Sequence, residues 1–275
     1  MTINVLLAVM FAAILHAGWN TILRGGKDRL WSMTLMMIAI ACCSAITLLF
    51  VPLPNAASWP YVAASAIIHT GYNLSLVRTY RSGDLGQTYP ISRGASPVLV
   101  ALGAASFANE TLNGMSLIGI ILVSCGIVSL AFDVKKLRLD FLPAALITAI
   151  FIGAYTVVDG IGVRLSGNSL SYAACMFLLW SISMPAIYFA LRGSPPAYTK
   201  AETGKALGGG IVSIVAYGII IWAMQYDAMG EVSALRETSV VYAAIIGRIF
   251  LKEKLSGRRI ASCIAIAFGA ACLTF

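Results

Sequence analysis

The sequence predicts an all-α integral membrane protein: ten transmembrane helices in two inverted five-helix repeats around a central cavity. Three observations predict it. About 59% of the 275 residues are hydrophobic and only 11% are charged, with a mean hydropathy of +0.87, far above soluble norms. Ten apolar stretches of about 19–23 residues follow one another, each long enough to cross the hydrocarbon core as a helix. The chain also contains itself twice: shifted by 143 positions without a gap, Asp84–Phe132 falls on Asp227–Phe275. Arg93 then meets Arg236, Ser96 meets Ser239, and Glu110-Thr-Leu-Asn-Gly114 meets Glu253-Lys-Leu-Ser-Gly257. Roughly a quarter of the aligned positions are identical, and the polar matches are not products of hydrophobic composition.

The predicted spans, in order, are 3–23, 31–51, 61–80, 87–107, 114–132, 141–163, 170–191, 206–226, 230–250 and 257–275. Residues 3–15 are apolar but lack a basic leader and a small-residue cleavage site, so 3–23 reads as a retained helix rather than a signal peptide. The first five spans occupy residues 1–132 and the second five occupy 141–275. A basic connection at 133–140 separates the repeats. The connections are too short to hold a soluble domain.

The net charge of +8 is distributed unevenly. Odd-numbered connections hold sixteen Lys and Arg residues, and even-numbered ones hold only Arg164. That bias assigns the odd connections to the cytoplasm and both termini to the opposite side of an inner, or plasma, membrane. It also argues against nucleic acid as a partner. Equivalent loops carry opposite loadings, as Asn109–Asn113 against Lys252–Ser256 illustrates, and five spans per repeat require inversion.

Cys42, Cys43, Cys125, Cys175, Cys263 and Cys272 all fall in apolar spans without Cys-x-x-Cys spacing, and read as small hydrophobes. Only two histidines exist, with no ligand set around them, so neither a metal nor a cofactor is expected.

Polar residues at membrane depth define the candidate site. Arg93 and Arg236 occupy matched places in spans four and nine. A charge there needs a cavity or a partner, so each is either a receiver of a substrate carboxylate or a structural ligand of freed carbonyls. Pro90 and Pro97 are expected to break span four around Arg93, and span nine has no proline. Glu237 stands where the first repeat has Gly94, so the repeat does not duplicate it. Adjacent residues on one helix do not face each other. Either Arg236 or Glu237 must therefore find its partner elsewhere, with Arg93 as the candidate for the carboxylate.

His16-Ala-Gly-Trp19-Asn20 and His69-Thr-Gly-Tyr72-Asn73 place a histidine and an asparagine four apart on one helix face. They read either as a polar, aromatic cavity lining or as interhelical glue. Tyr89, Tyr155 and Tyr217 join them as cavity candidates, and Asp159 sits near the end of span six. Asp84, with Gln87 three residues on, and Asp227 read as helix caps, while Glu110 and Glu253 open the fifth and tenth helices.

Glu110-x-Leu-x-Gly114, Glu253-x-Leu-x-Gly257 and Gly18-Trp19-Asn20, within ten spans, resemble the EamA family of the drug/metabolite transporter superfamily. The resemblance implies a helical basket closed alternately at each face, lined by spans one, three, four, six, eight and nine. It also implies export of amino acids, other metabolites or drugs, or import of metabolites. Small multidrug members carry a proton-binding glutamate in the first helix, and span one here has no carboxylate.

The expectation is an inner-membrane secondary transporter of exporter type for small polar metabolites such as amino acids, working by alternating access. Its partners would be that substrate and membrane lipids. Arg93 or Arg236 would hold a carboxylate, and Glu237 an ammonium or a coupling proton. The alternative is a polyspecific exporter of drugs and toxic compounds. A membrane-embedded enzyme is the less favoured class, because the chain has no Gly-x-Ser-x-Gly and no His-Glu-x-x-His.

Overall fold

The computed structural model describes residues 1–81, 85–132, 142–250 and 256–274. The connection at 133–140, Asp84, Lys252, Glu253, Lys254 and Phe275 lie outside the described residues, as does the side chain of Gln87. Eleven α-helices are described: α1 (Ile3–Arg24), α2 (Arg29–Leu48), α3 (Trp59–Arg81), α4 (Leu85–Ala108), α5 (Gly114–Ser129), α6 (Leu142–Leu165), α7 (Ser169–Arg192), α8 (Lys200–Ala223), α9 (Met229–Arg236), α10 (Ser239–Phe250) and α11 (Gly257–Cys272).

Their starts are written in the sequence. Asp28 Oδ1 accepts from Leu30 N and Trp31 N to cap α2, and Asn168 caps α7 the same way. Thr199 and Glu202 close a reciprocal capping box on α8. Glu202 also meets the Lys27 ammonium at 2.7 Å, which holds that ammonium above its ordinary pKa.

Among the described residues, seven helices are long and apolar enough to cross a membrane: α1, α2, α4, α5 with the turn after it, α6, α7 and α8. Ten were expected, and each shortfall has a physical reason. Ser65, His69, Thr70, Asn73 and Ser75 lower the hydropathy of α3, and Ser65, His69 and Asn73 turn inward. The last helix is 16 residues long. The ninth span divides into α9 and α10 at Glu237–Thr238.

The expected break in α4 does not occur. The helix runs unbroken from Leu85 to Ala108 through Pro90 and Pro97. Pro97 removes the N–H that would bond the carbonyl of Arg93, and the Ser96 hydroxyl donates to that carbonyl instead, at 3.0 Å. In α9–α10 the backbone tightens without any proline. Thr238 N bonds Leu235 O at 3.0 Å, Val241 N bonds Thr238 O at 2.8 Å, and the Thr238 hydroxyl bonds back to Leu235 O at 2.7 Å.

Packing partners recur symmetrically. Let α1–α5 correspond to α6, α7, α8, α9 with α10, and α11. Then α1 on α8 answers α3 on α6, α4 on α6 answers α10 on α1, and α2 on α7 and α5 on α11 answer themselves. The α5–α11 crossing is backbone on backbone. A Cβ at Gly119 or Gly269 would fall 2.8 or 2.9 Å from the other's carbonyl oxygen.

The polarity of the molecule is inverted relative to a soluble domain. Ile3, Leu7, Phe11 and Ile14 form an exposed apolar strip on α1, while Arg93, Asp159, Arg236 and Glu237 are all buried. Such a chain is a multi-pass membrane protein, its shell in contact with lipid. All six cysteines are free; Cys175 and Cys272 are buried as expected, whereas Cys42 and Cys125 lie on the exposed shell.

Candidate functional site

Where α4 meets the α9–α10 junction, three ionic side chains converge with no more than 2% exposure each. Glu237 Oε2 lies 2.7 Å from Arg93 Nε, and Glu237 Oε1 lies 3.3 Å from Arg236 Nη2. The partnership of Glu237 with Arg93 is the one expected. The expectation that Arg236 could not also reach its neighbour fails, because the turn tightens there. Arg236 Nε donates to Glu237 Oε1 at 3.4 Å, and its Nη2 donates to Ser233 Oγ at 3.4 Å.

Two guanidiniums against one carboxylate leave the cluster with one excess positive charge. The Arg93–Glu237 contact is close but poorly aimed. Arg93 Nε and Nη2 and Glu237 Oε2 all lack a hydrogen-bond partner among the described residues. Buried donors in that state cost free energy until something accepts from them. Tyr89 lies along one side, its ring centroid 6.0 Å from the Arg93 guanidinium carbon.

The two His-x-Gly-x-Asn settings diverge. In α1, His16 is half-buried, and its Nδ1 accepts from Trp19 Nε1 at 3.2 Å; the Asn20 amide donates back to His16 O at 2.9 Å. Gly18 opens onto free space, with nothing within 4 Å of where a Cβ would stand. In α3, Gly71 instead receives a helix, since a Cβ there would meet the Phe151 ring at 2.5 Å. His69 is buried, and its Nδ1 lies 3.1 Å from Ser65 Oγ. Asn73 is buried too, and its Nδ2 lacks a hydrogen-bond partner among the described residues.

An aromatic box surrounds His69. Tyr155 stacks on it at 3.9 Å, with Trp180 at 4.6 Å and Tyr217 at 5.4 Å, and Tyr72 stands edge-on to Tyr155 at 5.5 Å. One turn along α6 from Tyr155 sits Asp159, fully buried rather than near water. Tyr217 donates to its Oδ2 at 2.6 Å and Tyr172 to its Oδ1 at 3.0 Å. Sequence reasoning missed Asp159, Ser65, Tyr172 and Trp180 as site members. The signal for two of them was present: Asp159 is four residues from Tyr155, and Ser65 four from His69.

At the end of the bundle where α4, α6 and α8 terminate, Glu110 does not serve its own helix, which Asn113 caps. Glu110 Oε2 accepts from Met229 N at 2.9 Å, at the start of α9, and its Oε1 pairs with Arg164 at 2.5 Å. Arg164 also donates to Met224 O and Asp227 O, both at 2.9 Å. Asp227, expected to cap the ninth span, makes no cap bond; its Oδ2 lacks a hydrogen-bond partner among the described residues, and burial pushes its carboxyl up.

A multi-pass bundle with an ionic, aromatic interior sealed from lipid is an architecture of transporter type. Residues 142–275 match the EamA-like transporter family. No curated protein matches the chain. One solved crystal structure shares the fold, with a TM-score of 0.77 at 17% identity, covering 98% of this chain and 95% of the other.

Proposed function

We propose that the chain is an inner-membrane secondary transporter that exports small polar metabolites such as amino acids by alternating access. In this reading residues 1–132 and 141–275 are inverted five-crossing repeats joined by the basic connection at 133–140. All ten spans then cross the membrane, and both termini face away from the cytoplasm.

One observation carries the proposal: the buried cluster of Arg93, Arg236 and Glu237, one positive charge in excess, with Arg93 Nη2 lacking a hydrogen-bond partner among the described residues. An anionic group on a polar substrate would complete it. The open space at Gly18, with half-buried His16, Tyr89 and Tyr217, supports a cavity beside the cluster. The clasp of Glu110, Arg164 and the start of α9 supports a closed face at that end. A drug exporter working through a first-helix carboxylate finds no such residue in α1.

The test is uptake into liposomes of a labelled metabolite panel, with and without a pH gradient. Wild-type protein should accumulate at least one amino acid. Arg93→Ala and Arg236→Ala should each abolish that uptake while inserting at normal levels. Undiminished uptake by both variants would assign the arginines to architecture alone.

A further inference from the structure

Resting on that reading, we infer that Asp159, and not Glu237, receives the substrate's ammonium, so that the site is a two-pole receptor for a zwitterion. Glu237 is already committed: both of its oxygens lie within 3.3 Å of guanidinium nitrogens. Asp159 is the opposite case. It is fully buried, and among the described residues its donors are neutral hydroxyls, those of Tyr172 and Tyr217. No cation lies within ion-pairing distance of it among those residues.

The bundle therefore buries one uncompensated negative charge and one uncompensated positive charge that do not touch. Their surroundings are shared. α6, which carries Tyr155 and Asp159, packs against α4, which carries Arg93, and against α9, which carries Arg236. Tyr155 and Asp159 lie one turn apart on the same face of α6. Tyr217, which donates to Asp159, stands edge-on to Tyr155, and Tyr155 stacks on His69; such ring faces favour an alkylammonium.

Two separated, unpaired charges at membrane depth are costly to maintain, and a single ligand bearing both opposite charges relieves both costs at once. The carboxylate of that ligand would take the Arg93 Nη2 N–H group, which lacks a hydrogen-bond partner among the described residues. Its ammonium would complete the lone pairs of Asp159 left over by the tyrosines. A ligand with only one charge relieves only one pole, so the arrangement selects zwitterions over plain acids and plain amines.

The experiment measures ligand-induced thermal stabilisation of the purified protein. The probes are a panel of amino acids, each beside its deaminated acid and its decarboxylated amine. Wild type should respond most strongly to an amino acid. Asp159→Asn should weaken amino-acid and amine binding at least about tenfold while the deaminated acid stays within about threefold. Asp159→Glu should restore part of the amine response.

Equal weakening of acid and amine in Asp159→Asn, or no change in either, overturns the assignment. So does an amine-selective loss in Glu237→Gln. If the Asn variant cannot be purified, Tyr217→Phe bares Oδ2 and must strengthen the amine response; an unchanged response overturns the idea. A wild type that answers amines or acids but no amino acid sinks the amino-acid reading alone, because the variants still show which pole each probe uses. A wild type that answers none of the probes overturns both.

Discussion

α4 and the α9–α10 pair match each other in sequence at an offset of 143 positions, and solve the same problem in opposite ways. α4 carries two prolines and stays one helix, because the Ser96 hydroxyl takes over the carbonyl that Pro97 leaves unbonded. Its partner carries no proline and divides at Glu237–Thr238. The difference shows that a missing donor interrupts a helix only when nothing nearby replaces it. Side chains that bond back to the main chain can tighten a turn where every N–H is present. The divided copy is also the one that brings Arg236 round to Glu237.

The largest effect should come from the position where the copies differ most in chemistry. Glu237→Gln removes the one anion facing two buried guanidiniums, at a cost of about 3–5 kcal/mol. Uptake should disappear, and the melting temperature in detergent should fall further than for any other single change named here.

Gly94 occupies the matched place, and its requirement is steric. A Cβ there would meet Val128 Cγ2 at 2.6 Å and Ser124 O at 2.9 Å on α5. Gly94→Ala should cost about 1–3 kcal/mol by overpacking. A melting temperature lowered more by Gly94→Ala than by Glu237→Gln would break the contrast between a packing position and a charge position.

Ser96→Ala should have the smallest effect, about 1 kcal/mol, from orphaning the Arg93 carbonyl. Adding Pro97→Ala to that variant restores the N–H and should recover most of the loss. No recovery in the double variant would mean that Ser96 serves something other than the proline gap.

The fold was legible because it is dictated by periodic, local features. Apolar runs of membrane length and the 49-residue self-match at an offset of 143 positions required no knowledge of contacts. The charged centre was half legible. Arg93, Arg236 and Glu237 stood out because charge is rare at that depth, and the Arg93–Glu237 partnership followed from helix geometry. What could not be read were outcomes set by neighbours. Whether Pro97 breaks a helix depends on Ser96, and whether Asp159 sees water depends on Tyr172 and Tyr217, which come from other helices. Glu110 looked like an aid to its own helix and instead serves α9, 119 residues away.

The pairing of Arg93 with Glu237 also sets a timetable. Arg93 is synthesised 144 residues ahead of the carboxylate that neutralises it. At about 5–20 residues per second, α4 waits roughly 7–30 s for its counter-ion. During that interval a lone guanidinium at the bilayer centre carries a penalty of about 2.5–3.5 kcal/mol. The newborn first half therefore has reason to linger at the insertion machinery, or against wet lipid headgroups, until α9 emerges. A chain truncated before residue 237 should accordingly be a substrate for membrane quality control rather than a stable half-transporter.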